Sequence, residues 1–169
     1  QVYSYCESRN SEHISCLMSG GLSSTLVTYF ANEYCKNNKL PKLKTFCVGF
    51  TDSVDIIYAK QVASMYNTDH HSIIITVDEY LQCVEKIIIN IEKHDSNNVR
   101  KAVLLYLAMN YINKSYPTTI NSVLSGSGFN EITGLSYKCN EYDIFNPLEY
   151  DFNCKAILSE IRNNDDLIN

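Results

Sequence analysis

Residues 13–25 read His13-Ile14-Ser15-Cys16-Leu17-Met18-Ser19-Gly20-Gly21-Leu22-Ser23-Ser24-Thr25. The apolar run over 13–18 fits a short strand, and the adjacent glycines Gly20 and Gly21 require a turn. A helix is predicted from about 23 to 36, with Leu22, Leu26, Tyr29, Phe30 and Glu33 at spacings of three and four. A strand that turns on glycine straight into a helix has a chemical use. Backbone N–H groups converge on one point there, and the helix N-terminus adds a partial positive charge, so an anion is favoured. Ser19, Ser24 and Thr25 can add hydroxyl donors, each bond to a charged group contributing roughly 1.5–3 kcal/mol. Two glycines also serve any tight strand-to-helix turn, so this loop alone is a moderate signal.

Outward from the loop, strands and helices alternate. A second strand is predicted over 43–50 and a helix over 55–66, with Ile56, Ala59, Val62, Ala63 and Tyr66 on one face. Ser72-Ile73-Ile74-Ile75 reads as a third strand, apolar on both faces as a buried parallel strand is. Thr76 and Glu79 have capping-box spacing, and Leu81, Val84, Ile88 and Ile91 mark the helix behind them. A further helix is predicted over 99–114 and a fourth strand over 120–124. That strand enters a second glycine loop, Ser125-Gly126-Ser127-Gly128. A last helix is predicted over 153–162. Such alternation gives a parallel sheet between helix layers, with ligands beyond the carboxyl ends of the strands. Both glycine loops leave strands at that edge.

Composition narrows the classes. The 169 residues are 45% apolar and 20% charged, the balance of one globular domain. A chain of about 150 residues buries roughly 68–70% of its unfolded surface, so one core can hold it. Lys and Arg number 14 against 19 Asp and Glu, a net charge of −5, which argues against a nucleic-acid backbone as partner. Apolar stretches such as Ile87-Ile88-Ile89 fall far short of the ~20 residues that span a bilayer. The 7 cysteines (Cys6, Cys16, Cys35, Cys47, Cys83, Cys139 and Cys154) form no C-x-x-C pair, so neither a zinc site nor a disulfide framework is expected. With no basic-then-apolar leader in the sequence, a reducing cytoplasmic setting is the expectation, the thiols serving as small apolar side chains.

Cys16-Leu17-Met18-Ser19-Gly20-Gly21-Leu22-Ser23-Ser24 resembles the loop of the N-type ATP pyrophosphatases, written SGGxDS. Thr45-Phe46-Cys47-Val48-Gly49-Phe50, followed by Ser53-Val54-Asp55, Ala59, Val62-Ala63 and His70-His71, looks like one family in particular: the synthetase domain of glutamine-hydrolysing asparagine synthetase. Glu92-Lys93-His94-Asp95 through Val99-Arg100 agrees. So does Ser125-Gly126-Ser127-Gly128-Phe129-Asn130-Glu131-Ile132-Thr133-Gly134, which resembles the family's SGEGSDE-(I/L)-x-G-G-Y. Matches in order and spacing cover about 14–137. The fold implied is a three-layer α/β sheet of the adenine-nucleotide α-hydrolase type.

The resemblance implies a reaction. ATP activates the side-chain carboxylate of L-aspartate as an acyl-adenylate and releases pyrophosphate; ammonia then gives asparagine and AMP. Met18 and Val48 would frame adenine and ribose, Ser125 and Gly126 would line the nucleotide, and Ser19, Gly20, Gly21 and Ser24 would cradle pyrophosphate. Arg100 would steady anionic substrate, although an exposed helix arginine reads as well. His70 and His71 are taken as structural. ATP and Mg²⁺ are the implied cofactors, ammonia would come from a glutaminase domain absent from these residues, and a homodimer is the expected assembly. The chain is thus expected to be part of a synthetase domain, without its C-terminal helices.

Three acids of the family pattern are replaced. Ser23 stands for the aspartate of SGGxDS, Ser127 for the glutamate of GEG and Asn130 for the aspartate of SDE, while Glu131 is kept. Mg²⁺ prefers hard anionic oxygens, which serine and asparagine do not supply. Losing one preorganised electrostatic group often costs about 10²–10³ in rate. Two readings therefore stand side by side: an ATP-dependent, AMP-forming amide ligase, and a degenerate relative that keeps the fold and binds nucleotide or a partner. A third, an RNA-modifying pyrophosphatase, shares the first loop but lacks a basic surface composition.

Overall fold

The computed structural model describes residues 2–8 and 13–127. The chain divides into two units, Gln1–Gly126 and Ser127–Asn169, and the fold that follows is that of the first. Asn130, Glu131 and the helix expected over 153–162 lie outside the described residues.

In chain order the elements are α1 (Val2–Ser8), β1 (Ile14–Leu17), α2 (Leu22–Asn37), β2 (Lys44–Gly49), α3 (Val54–Tyr66), β3 (Asp69–Ile74), α4 (Val77–Ile91), α5 (Ser96–Ser115) and β4 (Ser122–Leu124). The strands form one parallel sheet in the order β3-β2-β1-β4. From β1 the chain steps outward through α2 and α3 to β3, then returns to place β4 on the other side of β1. Strand order therefore reverses at β1, where Cys16 pairs with Thr45 on one side and Leu124 on the other. The carboxyl ends of β1 and β4 flank that switch point, the place where parallel α/β sheets open a crevice.

Side chains alternate across the sheet and give it three layers. On one face Ile14 and Cys16 pack with Cys6 of α1 and Ala31, Tyr34 and Cys35 of α2. On the same face Met18 and Cys47 pack with Ile56, Ala59 and Ala63 of α3. On the other, Phe46 and Ile73 meet Ala108 and Ile112 of α5. Cys6, Cys16, Cys35 and Cys47 are free, buried thiols within these clusters. Burial pushes the Cys35 and Cys47 thiols up to about 11, so they pack as apolar groups rather than react.

α4 and α5 form a hairpin with its own small core of Ile87, Val99 and Val103. Tyr116, just past α5, lies over Lys44, the first residue of β2, with Lys44 Nζ 5.2 Å from its ring centre. The C-terminal end of α5 is thus at the amino edge of the sheet. Its N-terminal half, packed on α4, projects past the carboxyl edge. Both helices start on strong caps: Thr76 and Glu79 make the reciprocal capping box, and Asp95 Oδ1 accepts from the Asn98 N–H at 2.9 Å.

Two expectations are corrected, and one element is added. The face of α2 against the sheet is not Leu22, Tyr29 and Phe30, which are exposed. It is Ser24, Thr28, Ala31 and Cys35, small side chains that let the helix lie close. β3 begins at Asp69, three residues before Ser72, and is an edge strand in which Ile74 is exposed. His70 and His71 therefore belong to the strand. The short helix α1 had no sequence signal: seven residues carry too little periodicity to register.

Candidate functional site

The loop after β1 is wired from within. Ser24 Oγ accepts from the Ser19 N–H at 3.3 Å and donates to the Gly21 carbonyl at 3.1 Å, with Ser19 Oγ 3.2 Å away. Ser19 Oγ in turn accepts from the Gly21 N–H at 3.4 Å. Ser24, 9% exposed, so holds the turn in shape. In this arrangement its hydroxyl donates to the Gly21 carbonyl. Thr25 Oγ1, one residue on, is buried without a hydrogen-bond partner.

α2 starts differently from α4 and α5. Its N-cap is Gly21, no side chain caps it, and its first turn holds no acid. The first N–H groups of any helix lack an intrahelical acceptor, so this end presents donors and a partial positive charge of about half an electron.

Both glycine loops are pressed onto backbone. Gly20 has φ +82°, and a Cβ there would sit 2.5 Å from Tyr58 Cβ and 2.9 Å from the Ala59 nitrogen of α3. A Cβ on Gly126 would lie 2.6 Å from the Ser24 nitrogen and 2.7 Å from the Ser23 carbonyl carbon. Ser125 leads from β4 into that contact. The two loops that sequence reading placed at one edge thus meet, Gly126 against the first turn of α2. Gly21 faces nothing closer than Ser19 Oγ at 3.5 Å.

Other expected residues stand apart. Met18 is 1% exposed, with its side chain among Cys47, Ile56 and Ala59 and its N–H donating to the Phe46 carbonyl at 2.8 Å. Val48 packs on the opposite face of the sheet, in the Phe46 and Ile73 cluster. Strand alternation places the two side chains on opposite faces of the sheet. Arg100 lies on the exposed part of α5 beyond the sheet edge. Its guanidinium donates to the Ser96 carbonyl at 3.2 Å and to Asn97 Oδ1 at 2.6 Å, on its own helix rather than at the loops. Ser127 is the last described residue. Among the described residues no three His, Cys, Asp or Glu side chains are gathered as for a metal. Asp55 stands in the first turn of α3, and with burial its carboxylate helps raise the Cys47 thiol.

A hollow of about 370 Å³ opens at the other end of the sheet, lined in part by Ile14, Leu43, Lys44, Asp69, His70 and Ile120. Its polar groups are already paired: Lys44 with Asp69 at 2.5 Å and His70 Nδ1 with Thr45 Oγ1 at 3.0 Å. His71 Nε2 lies 3.2 Å from the Tyr116 hydroxyl. Both histidines sit in this network at the amino edge of the sheet.

The family model of asparagine synthase matches residues 7–146. The chain belongs to the asparagine synthase family. Curated glutamine-hydrolysing asparagine synthetases agree: that of Rattus norvegicus is 35% identical over 121 residues and that of Gallus gallus 37% over 122, each alignment covering 71% of this chain. The human enzyme is 33% identical over 121 residues. The aligned region is 21% of the length of each of these relatives. An NH3-dependent NAD synthetase from Campylobacter jejuni subsp. jejuni, solved in complex with a nitrate ion, superposes with a TM-score of 0.52 at 15% identity, over 80% of this chain and 56% of that one. The fold is the parallel α/β sheet of the adenine-nucleotide α-hydrolases. Among the described residues no helix is long and apolar enough to cross a membrane.

Proposed function

We infer that this chain is the nucleotide-binding part of an asparagine synthetase, in which ATP activates aspartate as a β-aspartyl-adenylate with release of pyrophosphate. The observation that carries the reading is the meeting of the two glycine loops at the switch point, Gly126 seated on Ser23 and Ser24 beside the uncapped start of α2. The amides of Gly20, Gly21 and the first turn of α2 would hold the pyrophosphate, while Ser19 and Ser24 keep the loop shaped. Ser125 and Gly126 would bound the nucleotide from the other side. With its side chain buried, Met18 would contribute through its backbone, and Val48 would bound the site from the opposite face of the sheet. Arg100 would reach substrate only by releasing Ser96 and Asn97, and Glu131 would supply a carboxylate from the second loop. Ammonia would arrive from a glutaminase domain, for which the relatives' much greater length leaves room. A cytoplasmic homodimer is part of the same reading.

The implied Mg²⁺ does not fit the described part of the site. The first turn of α2 offers Ser23 and no carboxylate, and the Ser24 hydroxyl is engaged within the loop. Mg²⁺ is ordinarily held by one or two carboxylates together with substrate phosphates. That mismatch favours a second reading, nucleotide binding without turnover. Incubation of the full-length protein with ATP, aspartate and ammonia separates the two. AMP and asparagine formed in step support the synthetase; ATP binding without AMP supports the second reading.

A further inference from the structure

We propose that Tyr58 of α3 belongs to the polyphosphate site, its hydroxyl donating to the β- or γ-phosphate of the bound nucleotide. This rests on the nucleotide reading above and adds to the two glycine loops a residue from a third element. Tyr58 Cβ lies 2.5 Å from where a Cβ of Gly20 would stand, and the Tyr58 carbonyl carbon 2.7 Å from it. The first glycine loop is thus seated on α3 at the root of this side chain, an approach open only to a residue without a Cβ.

The helices set where the ring goes. Tyr58, Val62 and Tyr66 follow at spacings of four, so they share one side of α3. That side faces α2: Tyr66 meets Tyr29 at 5.7 Å between ring centres, and its carbonyl accepts from Asn32 Nδ2 at 2.9 Å. Both helices follow parallel strands and so start at the carboxyl edge of the sheet. About two turns back from Asn32 and Tyr66 stand Ser24 and Tyr58, side by side at that edge. Helical side chains lean toward the N-terminus of their own helix, which for α3 is the edge where the loop opens. The Tyr58 ring therefore leans past Gly20 toward the uncapped first turn of α2. It is 53% exposed, so solvent and ligand can reach its hydroxyl. A phenol donates one hydrogen bond and phosphate oxygens accept it, which ties the anion to α3 as well as to α2.

Calorimetric titration of the full chain with ATP and with AMP tests this, on wild type, Tyr58→Phe and Tyr58→Ala in one buffer. Tyr58→Phe should bind ATP about tenfold more weakly, the loss of one hydrogen bond to a charged group. Tyr58→Ala should lose at least as much. AMP ends at the α-phosphate and should bind all three proteins alike. Both variants should keep the wild-type Tm, as substitutions at exposed positions do. A wild-type ATP affinity in Tyr58→Phe overturns the proposal and leaves the nucleotide reading intact, whatever Tyr58→Ala does, because the hydroxyl is then not the contact. An equal loss on AMP overturns the assignment to the β- and γ-phosphates. No binding of ATP by the wild type overturns the nucleotide reading, and the proposal with it.

Discussion

Single residues decide the geometry of the loops. Gly20 combines a left-handed φ with backbone of α3 less than 3 Å from any added Cβ. Gly20→Ala should therefore cost at least about 1–2 kcal/mol from the dihedral alone, visible as a drop of several degrees in Tm. Gly21→Ala, at a φ of −72° and with only an ordinary 3.5 Å contact to Ser19 Oγ, should leave Tm nearly unchanged. Gly126→Ala strikes the backbone of Ser23 and Ser24. It should displace the second loop and weaken ATP binding at least tenfold while moving Tm little, since Gly126 lies beyond the last strand of the unit. Thr25 offers a different probe. Its buried hydroxyl lacks a partner, and an unsatisfied group of this kind costs about 1–3 kcal/mol. Thr25→Val should leave Tm equal or raise it; a fall would show that the hydroxyl has a partner after all.

At the scale of elements, helix starts were the most legible part of the sequence. Thr76 with Glu79 announced α4, and both halves of the box are present. Thr76→Ala should cost about 1 kcal/mol, read in chemical denaturation. Removing Ile87, 4% exposed in the hairpin core, should cost about 2–5 kcal/mol as Ile87→Ala. Because the Ile87, Val99 and Val103 cluster joins the sheet's only through partly buried Tyr80 and Leu107, hydrogen exchange should speed first in α4 and the N-terminal half of α5. Which face of α2 turns inward was not legible. Leu22, Tyr29 and Phe30 form the more apolar stripe, yet close packing on the sheet selects Ser24, Thr28 and Ala31. Periodicity ranks faces by hydrophobicity and is blind to how near the helix must come. The same limit applies to Met18 and Val48, whose one-dimensional neighbourhood at strand ends says nothing of the two sheet faces between them. Arg100 was placed on its helix correctly, but its hydrogen bonds to Ser96 and Asn97 depend on local caps that spacing does not reveal.

For the whole molecule, acid should act through the network at the amino edge. Burial holds His70 below the ordinary histidine range, with His71 and Lys60 adding repulsion. Thr45 and Ser72 contact its ring, and Lys44 and Asp69 stand at the same edge. The unfolded chain takes up the His70 proton near pH 6.5 while the folded one resists, so stability present above that pH is lost as pH falls toward the lowered folded value. The Lys44 hydrogen bond holds Asp69 below its usual range, so its contribution is lost only below about pH 4. Tm should fall between pH 7.5 and 5.5, and His70→Gln should flatten that slope; an unchanged slope would remove His70 as the cause.

The switch point itself was legible: two glycine loops at one edge implied a reversal of strand order between β1 and β4, and the order β3-β2-β1-β4 has it there. The central claim is that nucleotide binds there and not in the hollow at the opposite edge. Amide chemical-shift mapping of the ¹⁵N-labelled chain during titration with ATP tests this most directly. The largest shifts are expected at Gly20, Gly21, Ser23, Ser24 and Gly126. Shifts confined to Lys44, Asp69 and His70, or none at the glycine loops, would contradict it.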